Sequence, residues 1–156
     1  MINAQEIITK LHLQPHPEGG WFKEIHRSEL NVKVNEKPRS AMTSIYFLME
    51  ENQVSRWHEV DADEAWHFYE GDALELLIAP PDFSRVQKIS LNEHSKNESP
   101  VFVVPAGWWQ AARSTGAYSL VGCTVAPGFE FSGFRFLTLE EKQRMDENNP
   151  EYKAFL

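Results

Sequence analysis

Cysteine is almost absent from this sequence, because Cys123 is the only one among 156 residues. A single thiol cannot form an intrachain disulfide. Cys123 lies in the apolar run 120–125, where a buried and chemically inert thiol is the expected state. A chain of this length has room for one full hydrophobic core, so we expect a single domain over residues 1–156.

Positive charge and long apolar runs are also scarce. Lys and Arg number 15 against 23 Asp and Glu, which gives a net charge of −8. Such a surface repels a phosphate backbone on average, so we expect no nucleic-acid partner. No window approaches a membrane span, and the first six residues lack a basic segment followed by an apolar stretch. We therefore expect a cytoplasmic protein with no membrane partner.

A short helix is predicted near each end of the chain. Asn3 and Thr138 are each followed three residues later by Glu, which is the pattern of a capping box at the start of a helix. Pro15 should end the first helix, and the second should stop before Pro150.

Between these helices the sequence predicts an all-β fold. Short apolar and β-branched runs are separated by Gly, Pro, Asp or Asn at near-regular spacing, which favours a sandwich or barrel. The polar stretch 29–39 is predicted to be a hairpin or a loop. The predicted strands are 21–27, 43–49, 56–60, 65–69, 73–79, 85–91, 101–104, 110–113 and 118–125.

Four segments of the chain carry a family resemblance. They read Pro-His-Pro-Glu-Gly-Gly at 15–20, Asp-Glu-Ala-Trp-His-Phe-Tyr-Glu-Gly-Asp at 63–72, Val-Pro-Ala-Gly-Trp-Trp-Gln at 104–110, and Val-Gly-Cys-Thr-Val-Ala-Pro-Gly-Phe at 121–129. Together they resemble the cupin superfamily (RmlC-like), and within it the fifth Cupin family, long carried as a domain of unknown function. The resemblance implies a cupin double-stranded β-helix, a jelly-roll-like barrel that is commonly dimeric. We therefore expect a homodimer.

The resemblance also implies which residues would hold a metal. In most cupins the first motif supplies two His and one Glu, and the second motif supplies a third His. His58 and Glu64 stand at two of these positions, but Val60 and Gln110 replace the other two. A neutral amide oxygen is a poor ligand for zinc, iron or copper compared with imidazole. We therefore expect no metal and no cofactor.

Strand alternation predicts which side chains face the barrel interior. The motif position places Glu64 inward, and side chains two residues apart share a face, so His67 should point outward. A few polar groups in an aromatic lining are typical of a small-molecule pocket. The predicted interior set is His58, Glu64, Trp66, Phe68 and Gln110.

Two of these residues are the catalytic candidates. His58 is proposed as a general base, and Glu64 as the carboxylate that orients it, because a buried carboxylate needs a polar partner. The alternatives are an ordinary strand histidine with a satisfied hydrogen bond and a solvated turn carboxylate. The candidate ligand-binding residues are Gln110, Trp66, Phe68 and Tyr46, although the orientation of Tyr46 and Tyr118 is not determined by the pattern.

Aromatic dipeptides and one Pro- and Gly-rich turn allow further interpretations. Trp66 and Trp108–Trp109 suggest stacking on a sugar, but aromatic residues in a barrel more often belong to the core. His16 and Glu18 lie in the turn 15–20, which is interpreted as a rigid connector to the next strand.

Three functions are compatible with these residues. The first is a metal-independent epimerase or isomerase acting on a small polar or sugar-derived carbonyl substrate. Cupin-fold epimerases of nucleotide-linked keto-sugars work without metal, and His58 occupies a motif position comparable to their catalytic His. The second is a binding protein that holds a small ligand without turning it over. The third, a metal-dependent oxygenase, is disfavoured by Val60 and Gln110.

Overall fold

The predicted all-β architecture with short terminal helices is confirmed by the computed structural model, which describes residues 3–93 and 98–156. Two sheets of antiparallel strands face each other as a double-stranded β-helix. The elements are α1 (Ala4–Leu11), β1 (Gln14–Pro15), β2 (Trp21–Arg27), β3 (Asn31–Val34), β4 (Lys37–Ser40), β5 (Thr43–Glu50), β6 (Ser55–Val60), β7 (Asp63–Gly71), β8 (Leu74–Ala79), β9 (Gln87–Leu91), β10 (Val101–Val104), β11 (Trp109–Ser114), β12 (Tyr118–Ala126), a 3₁₀ helix (Phe131–Gly133), β13 (Phe134–Phe136), α2 (Leu139–Asn148) and a second 3₁₀ helix (Pro150–Phe155).

The order of the strands brings distant parts of the chain together. One sheet has the order β1-β2-β5-β12-β7-β10, and the other has the order β13-β6-β11-β8-β9. The polar stretch after β2 was predicted to be a hairpin or a loop. It forms a separate two-stranded hairpin, β3-β4. The short strands β1 and β13 were not predicted, because β1 has only two residues and β13, although its Phe residues alternate with Arg135, has only three.

The main core lies between the inner faces of the two sheets. Its buried side chains include Phe47, Trp66 and Val121 from the first sheet and Leu76 and Ile78 from the second. Removing this apolar surface from water is the main force that holds the sheets together.

The two helices cover other apolar surfaces. Helix α1 packs Ile7 and Ile8 against Leu48 and Leu120 on the outer face of the first sheet. Both helices begin with the predicted capping box, at Asn3 and at Thr138. Across the described residues, every helix is too short or too polar to span a membrane.

A β-bulge in β2 determines which of its side chains face inward. Glu24 pairs with Ile45, but His26 pairs with Ser44 and Arg27 with Thr43, so the register shifts by one residue at Ile25. Because the extra residue interrupts the alternation, Arg27 shares the inner face with Glu24. Strict alternation would have placed His26 there.

Candidate functional site

A cavity of about 340 Å³ lies between the sheets and is the centre of the candidate site. Its walls come from strands β2, β5, β6, β7 and β12, from the turn before β2, and from the segment 129–134 after β12. Most of the wall is apolar, with five Phe rings. The lining residues are His16, Glu18, Phe22, Glu24, Arg27, Thr43, Ile45, Phe47, His58, Val60, Glu64, Cys123, Val125, Phe129, Glu130, Phe131 and Phe134.

A buried carboxyl–imidazole pair forms the most polar part of the wall. Glu18 Oε2 lies 3.1 Å from His58 Nε2, and the two residues are only 6% and 2% exposed. Ser55 Oγ donates a hydrogen bond of 2.8 Å to Glu18 Oε1. The turn 15–20 reaches β6 because Arg56 N donates to Glu18 O. The turn therefore carries a site residue and is more than a connector.

The hydrogen bonds of the His58 ring indicate its tautomer. The Arg56 carbonyl lies 2.6 Å from His58 Nδ1 and can only accept, so Nδ1 carries a proton. Nε2 therefore shares one further proton with Glu18. Burial lowers the pKa of His58 and raises the pKa of Glu18, so both directions favour a neutral pair in which the Glu18 carboxyl donates to Nε2.

His16 packs beside this pair as a neutral ring. Glu18 N donates to His16 Nδ1 at 3.2 Å, and the ring makes edge contacts with Phe22 and Phe47. Burial lowers the pKa of His16, although Glu18 acts in the opposite direction. The imidazole therefore extends the apolar wall and holds the backbone that presents Glu18.

Glu64 is the second buried carboxyl group of the cavity. It is 8% exposed, and it accepts a hydrogen bond from Gln110 Nε2. Burial raises its pKa to about 7, the neighbouring Glu18 carboxyl adds to this, and His58 opposes it. The Cys123 thiol also hydrogen-bonds to Glu64, and burial raises the pKa of that thiol well above its ordinary value. Glu64 therefore exists in both protonation states near neutral pH.

The partners of the two catalytic candidates differ from the predicted ones. We expected His58 to be the hydrogen-bond partner of Glu64, but Glu64 bonds to Gln110 and Cys123, and His58 bonds to Glu18. The reason is tertiary: the turn 15–20 packs against β6 and inserts a carboxyl group beside the imidazole.

The predicted ligand-binding residues lie near the cavity without lining it. Both polar atoms of the Gln110 amide are bonded, since its nitrogen donates to Glu64 and its oxygen accepts from Trp66 Nε1 at 2.9 Å. Trp66 is buried in the main core, and Phe68 packs against that core. Gln110 thus holds Glu64 by a hydrogen bond, and Trp66 holds Gln110, although neither residue lines the cavity.

Tyr46 faces away from the cavity. Ile45 and Phe47 line the cavity from β5, so the residue between them points to the outer face. There Tyr46 packs with the α1 cluster and lies 6.2 Å from the ring of Tyr69. Tyr46 was a candidate ligand-binding residue whose orientation the pattern left open, and its place on the outer face does not support that role. The alternating strand β7 likewise directs His67 away from the inward Trp66, and His67 is not among the lining residues.

Sequence reasoning missed the remaining polar lining of the cavity. Arg27 escaped notice because the bulge at Ile25 cannot be read from the pattern, and Glu24 because the sequence does not show which face of β2 is the inner one. Glu18 belongs to the quoted Pro-His-Pro-Glu-Gly-Gly segment, and that signature is the signal that could have revealed it.

The metal site of most cupins does not fit these residues. Val60 offers no ligand atom, and both polar atoms of the Gln110 amide are already bonded inside the protein. Across the part of the chain that the structure describes, no group of three His, Cys, Asp or Glu side chains is arranged to hold a metal ion. We therefore assign no chemical step to a metal.

The fold and the motifs agree with a family model. The model Cupin_5, described as "Cupin superfamily (DUF985)", matches residues 5–137. The chain belongs to this cupin family. A member of this family is expected to have the cupin barrel. The two facing sheets of this cupin, with the motif residues directed inward, match that expectation.

Similar proteins come from distant organisms. Protein SO0799 from Shewanella oneidensis is 33% identical, with a TM-score of 0.85 over 99% of this cupin and 94% of that chain. A hypothetical protein from Leishmania major is 29% identical, with a TM-score of 0.86 over 99% and 96% of the two chains. The uncharacterized protein YML079W of Saccharomyces cerevisiae is 27% identical over 90% of this chain and 78% of its own length. None of these three names states an activity, so the comparisons indicate the family and not the reaction.

Proposed function

We propose that this cupin binds a small carbonyl compound in its cavity and moves a proton at the neighbouring carbon, as an isomerase or epimerase does. The observation that carries the proposal is the buried Glu18–His58 pair, joined at 3.1 Å on the wall of the cavity that Glu64 also lines. Acid–base catalysis needs a donor and an acceptor whose pKa values lie near the working pH. Burial raises the pKa of Glu64 to about 7, which suits it to be the acceptor, and the neutral Glu18–His58 pair supplies a proton donor in the same cavity.

The proposed step conserves protons and charge. The Glu64 carboxylate takes the proton from the carbon next to the carbonyl. The Glu18–His58 pair gives its shared proton to the carbonyl oxygen, and a neutral enol results. Glu64 then returns its proton at the other carbon, which completes an isomerisation, or to the opposite face of the planar enol after the enol has turned over in the cavity, which completes an epimerisation. At the enol stage Glu64 is protonated and Glu18 is ionised, so the reverse transfers restore the starting state.

The largely apolar walls of the cavity support this chemistry. Phe134 packs on the His58 ring, Phe22 and Phe47 pack on the His16 ring, and His16 contributes no charge when neutral. A water-poor wall strengthens every electrostatic interaction made with a bound substrate. Gln110 holds Glu64 in one orientation by its hydrogen bond.

Exchange of carbon-bound hydrogen with solvent tests the proposal directly. Hydroxyacetone and glyceraldehyde would be incubated with the protein in deuterium oxide, and loss of the NMR signal next to the carbonyl would be followed. We expect His58→Asn and Glu18→Gln to slow the exchange by about a hundredfold. His67→Asn is the matched control, because it makes the same change outside the cavity.

One outcome would replace the proposal by its alternative. If these compounds shift cavity resonances but exchange no faster than in buffer, the chain is a non-catalytic small-ligand binding protein. Equal loss of exchange in His58→Asn and His67→Asn would also contradict the assignment. The homodimer and the cytoplasmic location remain predictions from the sequence.

A further inference from the structure

The charges that line the cavity are strongly unequal. Among the residues that the structure describes, four carboxyl groups line it, at Glu18, Glu24, Glu64 and Glu130, against one guanidinium, at Arg27. His16 and His58 add no positive charge when neutral, which burial favours. Among the described residues, a negatively charged ligand would therefore meet one cationic side chain in the lining, Arg27, with the charge of Arg56 acting from behind the wall.

Arg27 is already occupied by partners within the protein. Its Nη2 donates to Glu24 Oε1 at 2.7 Å and to the carbonyl oxygen of Phe129 at 3.1 Å. Its Nε lies 3.4 Å from Glu24 Oε2, so the carboxylate faces the guanidinium with both oxygens. The bulge at Ile25 is what brings both residues onto the inner face. A ligand anion could reach Arg27 only through its Nη1 edge, and it would then meet a guanidinium whose charge the Glu24 carboxylate already neutralises.

The other arginines close to the site are also engaged. Arg39 donates to both oxygens of Asp61, at 2.8 and 3.0 Å. Arg56 donates to the Pro17 carbonyl at 2.8 Å, and its guanidinium lies 4.3 Å from the centre of the Phe136 ring. Neither arginine lines the cavity. In the part of the chain that the structure describes, each guanidinium near the site thus already has a partner for its charge or its hydrogen bonds, which weakens its attraction for a phosphate or a carboxylate.

We propose that the cavity selects an uncharged small molecule over an anion, and that Glu24 is the residue that determines this by neutralising Arg27. The inference deepens the proposed function, since it excludes sugar phosphates, nucleotide-linked sugars and keto acids from the substrate class. The walls agree, because five Phe rings favour ligands that lose little hydration on entry. A buried anion would also raise the cost of ionising Glu18 and Glu64.

Benzamide and benzoate provide a matched pair of probes, since they share a ring and a planar head group and differ in charge. Their dissociation constants would be measured from the shifts of cavity-lining backbone amides in NMR spectra. We expect benzamide to bind wild-type protein at least about tenfold more tightly than benzoate. In Glu24→Gln the freed Arg27 should reduce this difference to about threefold or less.

Glu29→Gln is the control, because it removes the same charge from an exposed position near the end of β2. It should leave the wild-type preference unchanged. The inference is overturned if benzoate binds wild type as tightly as benzamide, if Glu24→Gln and Glu29→Gln behave alike, or if benzamide leaves the cavity amides unshifted. None of these results depends on turnover. Failure of the proposed function would instead appear as absent hydrogen exchange with the charge preference intact.

Discussion

Replacing Glu64 by Gln should change how the stability of the protein depends on pH. Glu64 is buried, and its pKa rises from 4.5 to about 7 on folding. Between these two values the folded state holds a proton that the unfolded state has released. The free energy of unfolding that belongs to Glu64 is therefore complete below about pH 4.5 and is lost as pH rises to about 7. Gln cannot ionise, so this loss should disappear in Glu64→Gln.

The size of the effect follows from the shift. Each unit of pKa difference corresponds to about 1.4 kcal/mol, so a shift from 4.5 to about 7 corresponds to about 3 kcal/mol. Glu18, His16 and His58 also titrate differently in the folded state, but they are present in both proteins. Comparing wild type with Glu64→Gln therefore isolates Glu64 together with its coupling to these neighbours.

Urea denaturation measured from about pH 4.5 to pH 8 checks this prediction. Wild type should lose about 3 kcal/mol more than Glu64→Gln across that range. Glu51→Gln, an exposed change after β5, should follow wild type. Parallel curves for wild type and Glu64→Gln would mean that Glu64 ionises as freely in the fold as in the unfolded chain, and the argument from burial would be wrong.

Other properties of the chain are equally open to measurement. Gly19→Ala should lower the free energy of unfolding by at least about 3 kcal/mol, because φ is +113° and the new Cβ would collide with the Val54 carbonyl. Gly107→Ala, also at positive φ but with open space around it, should cost about 1 kcal/mol, and equal costs in thermal or urea unfolding would refute this. Arg39→Ala should cost about 2 kcal/mol, because it removes a buried hydrogen bond to the Gly128 carbonyl and a partly buried ion pair with Asp61. An unchanged unfolding midpoint would contradict this. Elemental analysis after dialysis should find less than one transition metal ion per chain, and one bound metal ion per chain would count against this. Light scattering should give twice the mass of an 18.0 kDa monomer, and a monomer mass would count against the homodimer.

Local patterns in the sequence predicted most of the fold. The capping boxes at Asn3 and Thr138 and the alternation along β7 depend on residues a few positions apart, and such interactions act wherever the segment lies. The inward positions of Glu64 and Trp66 follow from that alternation. The run at β5 is apolar on both faces, so it has no alternation, and the outward direction of Tyr46 was decided by how α1 and the sheet pack around it.

The chemistry of the site was decided by contacts between distant segments. Glu18 meets His58 across 40 positions of sequence because the turn 15–20 packs on β6, and Gln110 meets Glu64 because strands β6, β7 and β11 converge. The bulge at Ile25 turned Arg27 inward. A sequence alone determines which side chains alternate and where helices begin. Which polar groups share a proton depends on burial and on pairing across the sheets, because both the desolvation and the partner come from residues far away in the chain.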